Sequence, residues 1–128
     1  MRTLTTLLSV TVLVFTGMLA HADDHAAPTQ PVGMVYGMDV SDPAAFAAAM
    51  TKYWNSPTGK QSPGIAILRQ VVAAGESSIS HLVSVAHPSY DGMDASFALN
   101  AASADWAAFL SEVDGIATVV TSSVFEGT

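Results

Sequence analysis

Val32 to Val40 alternates with a period of two, and the alternation sorts by size. Met34, Tyr36, Met38 and Val40 fall on one side; Gly33, Val35, Gly37 and Asp39 fall on the other. That is the period of a strand, and it commits the chain to a sheet. Ser41-Asp42-Pro43 then changes the period. Asp42 can cap the free N–H groups of a helix, and Pro43 suits the first turn because its missing N–H is not needed there. Phe46, Met50, Tyr53 and Trp54 recur at helical spacing among alanines. The helix is predicted to close near Asn55, since Pro57 disfavours helical geometry at Ser56. The stretch 55–64, rich in Pro, Gly and Ser, reads as a loop.

The rest of the chain repeats this grammar. Ile65 to Ala73 is β-branched and apolar and reads as a second strand, Ala74 to Ser78 as a hairpin connection, and Ile79 to His87 as a third strand stopped by Pro88. Ser89 and Ser103 can each cap a further helix. Tyr90, Met93 and Phe97 are spaced along the first; Trp106, Phe109, Leu110 and Val113 stripe the second, which Gly115 ends. Ala117 to Phe125 is a last strand. The predicted order, β-α-β-β-α(α)-β, is the split arrangement of a ferredoxin-like α+β domain. It places a four-stranded antiparallel sheet under helices that all lie on one side.

Such a sheet has a second face to account for. Gly33 and Gly37 would let helices approach closely, so their side is assigned to the helices. Met34, Tyr36 and Met38 are then expected on the open side. Ser84 and Ala86 would likewise face the helices, and His81, Val83, Val85 and His87 the open side. A strip of large apolar groups left in water is unfavourable by about 25 cal/mol per Å², and such a patch marks an interface. The expected partner is a second copy packed sheet against sheet. The cavity between the two sheets would be a ligand site lined by Met34, Tyr36, Met38, His81, Val83 and Val85. An apolar pocket with a few polar groups suits a small apolar molecule. His81 would orient it or act as a base, and Tyr36 would donate a hydrogen bond. The alternative for His81 is a satisfied sheet residue, and His87, beside Pro88, reads as a solvated strand end. A non-catalytic interaction or structural domain, whose open face only makes the dimer, is the other reading of the whole.

The start of the chain speaks to destination. Met1-Arg2 precedes an uncharged apolar run of about 16 residues, Leu4 to Leu19, and Ala20-His21-Ala22 is a small-x-small cleavage signal. This reads as a secretory signal peptide over 1–22, too short for the roughly 20 residues that span a bilayer. A loose arm over 23–31 and one domain over 32–128 would follow, in a periplasmic or secreted protein free of the membrane once the leader is gone. Without Arg2 the cations are Lys52, Lys60 and Arg69 against 11 acids, a net charge of −8 with His neutral. Such a chain is repelled by nucleic acid and by anionic membrane. The sequence has no cysteine, which excludes disulfides, zinc–thiolate and iron–sulfur sites and thiol catalysis. No G-x-S-x-G, H-E-x-x-H or phosphate-loop motif occurs, and nothing in the chain asks for a cofactor.

Cleavage after Ala22 would leave Asp23-Asp24-His25 at the amino terminus. A free amine, two deprotonated amides and the His25 imidazole can form the square-planar nitrogen set that Cu(II) and Ni(II) prefer. The motif resembles the amino-terminal metal site of serum albumins.

The element order, the aromatic-rich first helix and the Ser103-Ala104-Asp105-Trp106 helix start resemble the dimeric α+β barrel superfamily. It includes antibiotic-biosynthesis-type monooxygenases and stress-responsive barrel proteins. The resemblance covers about Val32 to Phe125 and rests on architecture and patterning. It implies a dimer. Among the superfamily's members it implies cofactor-independent oxygenation, isomerisation or haem degradation. None of these passes to this chain through a fold alone.

Overall fold

The computed structural model describes residues 32–127. The leader, the arm and the Asp23-Asp24-His25 motif lie outside the described residues. The elements run β1 (Val32–Val40), α1 (Pro43–Asn55), α2 (Pro57–Gln61), β2 (Ile65–Gln70), β3 (His81–His87), α3 (Tyr90–Ala101), α4 (Ala104–Val113) and β4 (Ala117–Glu126). The four strands make one antiparallel sheet in the order β2-β3-β1-β4, the ferredoxin-like arrangement of an α+β domain.

The caps act as their residue types require. The Asp42 carboxylate accepts from the Ala45 N–H at 3.0 Å with Pro43 in the first turn. The Ser89 hydroxyl accepts from Gly92 at 3.0 Å and the Ser103 hydroxyl from Trp106 at 3.1 Å. After α4 the chain reverses at Gly115, whose φ of 78° is open to glycine and strained for other residues. The expected loop at 55–64 contains the five-residue α2. Ser56 caps it by accepting from Gly59 at 3.1 Å, with Pro57 in its first turn.

Strands β2 and β3 are shorter than their apolar runs, although the Ser80 backbone still donates to Met38 at 2.8 Å. The Ser80 hydroxyl takes the Val40 N–H at 2.9 Å and lies 2.9 Å from His81 Nδ1. Val71 and Ser80 still join at 2.8 Å before the turn through Gly75.

The face assignment is reversed from the expectation. Residues directly opposite each other in a ladder share a face. Met34 stands opposite Val85, Tyr36 opposite Val83 and Met38 opposite His81. Tyr36, Met38, Val83, Val85 and Leu68 pack with Phe46, Ala49 and Met50 of α1 and Phe109 and Val113 of α4. The large side of β1 therefore lies beneath the helices of its own chain. The two glycines lie on the other side, and their missing side chains admit neighbours within the sheet. The Phe125 ring fills the space at Gly33, and Ile79 with Thr121 fills that at Gly37. Ser84 and Ala86 face away from the helices as well. Helices resting on a sheet need bulk between the layers to reach the density of a packed interior, and this demand outweighs the close approach that glycine permits.

Candidate functional site

The helices do not seal against the sheet. Between them lies a cavity of about 510 Å³. Its floor is Tyr36 and Met38 of β1, Ala66 of β2, and Val83, Val85 and His87 of β3. Its roof is Phe46, Met50 and Trp54 of α1 together with residues of α3 and α4. Phe97, Leu110 and Val119 line the cavity while 43%, 48% and 52% exposed, so they mark its mouth. A β-bulge in the β1–β4 pairing, opposite Gly37 and Met38, sets Val119 on that rim.

One wall is an aromatic cluster. The Tyr53 ring centroid lies 5.4 Å from that of Trp54, 5.1 Å from Trp106 and 5.6 Å from Phe109. The first two pairs are edge-on, the geometry ring quadrupoles favour. The Tyr53 hydroxyl donates to the Asn100 side chain, which ties α1 to α3. Behind the cluster, Asp105 accepts from the Thr58 N–H at 3.2 Å and its hydroxyl at 2.9 Å, joining α2 to the start of α4. Those bonds hold the Asp105 carboxyl below its ordinary pKa. Burial pushes the Tyr53 phenol up, with the Asp105 charge adding to it, and burial alone raises Tyr36.

The other end is polar and incomplete. The Ser62 and Ser96 hydroxyls, 3.2 Å apart, line the cavity. Gly64, two residues beyond Ser62, runs against the His87 ring, where a Cβ would stand 2.7 Å from Nε2. His87 is 3% exposed, and neither ring nitrogen has a hydrogen-bond partner. Desolvation holds its pKa below the ordinary 6.5, so the imidazole is neutral at pH 7.

Of the residues expected to bind a ligand, Tyr36, Met38, Val83 and Val85 line this cavity. It lies within one chain, between sheet and helices. The expected inter-sheet cavity cannot be built from them, because their own helices cover them. Met34 shares their face by register and His81 is buried with its Nδ1 against Ser80, but neither lines the cavity. His87, read as solvated, is buried. Its place was legible, since it continues the alternation of Val83 and Val85. The Ser62–Ser96 pair carries no sequence signal, because it joins a loop to a helix 34 residues on. Among the described residues no three His, Asp or Glu side chains gather as a metal site, and no helix is long and apolar enough to cross a membrane. No family model and no curated protein matches the chain.

Proposed function

We propose that this is a periplasmic or secreted binding protein for a small, largely apolar molecule held between its sheet and its helices. The carrying observation is the cavity of about 510 Å³, walled by aliphatic and aromatic side chains with few polar groups. Its volume and lining are those of sites that enclose a drug-sized ligand. The lining offers neutral phenols and a neutral imidazole, and its acid, Asp114, is exposed. Native mass spectrometry of the protein purified from its own host tests this. The expected spectrum carries an excess mass of a few hundred daltons per chain, lost on organic extraction. A chain of bare mass that also takes up no neutral dye such as Nile red overturns the reading.

The second part of the proposal is a homodimer across the glycine side of the sheet. That side carries Val35, Ile65, Ile67, Leu82 and Phe125, with Ile65 and Ile67 exposed. An exposed apolar surface of this kind favours a partner, and a second copy meets it with the same residues.

A further inference from the structure

Resting on the ligand-binding reading, we propose that the ligand is a neutral molecule with an alcohol or phenol hydroxyl, and that this hydroxyl is held at the His87 end of the cavity. Four observations converge on this. His87 lines the cavity, is 3% exposed, and has two nitrogens without partners. A buried polar group left without a hydrogen bond is costly, and native chains satisfy nearly all of them. The protein supplies no partner to either nitrogen, and Gly64 backs onto the ring with no side chain, a Cβ there standing 2.7 Å from Nε2. The group that completes the imidazole therefore comes from outside the chain.

The character of that group follows from the imidazole. In its neutral form the ring presents one N–H donor and one bare nitrogen acceptor. A hydroxyl, which donates and accepts, matches either nitrogen in either tautomer. The Ser62 and Ser96 hydroxyls line the same cavity, and Gly64 ties the Ser62 segment to the His87 ring. An acidic head group is disfavoured. Lys52, Lys60 and Arg69 are absent from the lining, and its one acidic residue is Asp114. An anion would enter a low-dielectric site with no countercharge.

Three naphthalenes of one size separate the possibilities, titrated at pH 7.5 into the purified protein and followed by protein NMR. 2-Naphthol carries the hydroxyl, 2-methylnaphthalene replaces it with an isosteric methyl, and 2-naphthoate carries a negative charge. The expected result is that 2-naphthol binds about tenfold more tightly than 2-methylnaphthalene, the factor one well-made neutral hydrogen bond supplies. The imidazole nitrogen signals of His87 move with the first ligand and stay with the second, and 2-naphthoate binds most weakly. In His87→Phe the preference falls to about one while 2-methylnaphthalene is retained. The wild-type ratio and the His87 signals decide the matter even if that variant does not fold. Equal affinity for the two neutral compounds, or preference for the acid, overturns the hydroxyl assignment and leaves the cavity reading intact. Binding of none of the three overturns both.

Discussion

Phe46 is the largest fully buried side chain, held between α1 and the sheet. Phe46→Ala removes most of that packing beside a cavity that already leaves atoms without neighbours. The cost is about 3–5 kcal/mol, measured as a drop in the urea midpoint at unchanged slope. His87 has a pH signature of its own. Its folded pKa lies below 6.5, the ordinary and hence unfolded value, so in the window between the two the unfolded chain binds more protons. Stability is then full above pH 6.5 and is lost as pH falls through the folded pKa. Thermal unfolding followed from pH 7.5 to pH 5 should show the Tm falling, and His87→Gln should flatten that fall. A Tm indifferent to pH over this range in the wild type would mean that the ring is hydrated. The alternation of β3 put His87 on the face of Val83. It could not show that the ring would be orphaned, because that depends on a loop glycine brought against it from outside the strand.

At the scale of elements, caps and periods were legible because they are local. Asp42-Pro43, Ser89 and Ser103 each start the helix that their side-chain chemistry favours. Ser56-Pro57 follows the same rule as Asp42-Pro43 and starts α2, a signal obscured by reading Pro57 only as the end of α1. The face of the sheet was not legible from β1 alone. The same alternation fits helices over the glycines or over the large residues, and only the cross-strand filling by Phe125 and Ile79 tells them apart. That filling makes a prediction about β1. Gly33→Val sets a branched side chain where the Phe125 ring lies, so β4 is displaced and the protein loses about 2 kcal/mol or more, as overpacking does. Gly115→Ala, placed at a φ of 78° with open space around it, costs about 1 kcal/mol from backbone strain alone. Urea denaturation of the two variants separates crowding from strain. Only Gly33→Val should also perturb amide exchange along β4.

At the scale of the whole molecule, the sheet divides two tasks between its faces. The helix face holds the bulk that makes the core and leaves the cavity. The other face is flattened by Gly33 and Gly37 and carries Val35, Ile65, Ile67, Leu82 and Phe125 with no helix above them. The bare face therefore lies on the side opposite to the one expected, and the proposed dimer moves there with it. Ile67 is 44% exposed on an edge strand, so Ile67→Glu leaves the core untouched and puts a carboxylate into any interface formed there. In a two-fold dimer the substitution enters twice, setting unpaired charges against an apolar surface. We expect a folded monomer, with unchanged circular dichroism and a dissociation constant raised more than a hundredfold, or about 3 kcal/mol. Sedimentation equilibrium reads this directly. The mouth at Phe97, Leu110 and Val119 opens on the helix side of the sheet, so the monomeric variant should bind 2-naphthol as the wild type does. A dimer that survives Ile67→Glu would move the interface elsewhere. Loss of ligand together with the dimer would show that the second copy helps to shape the cavity.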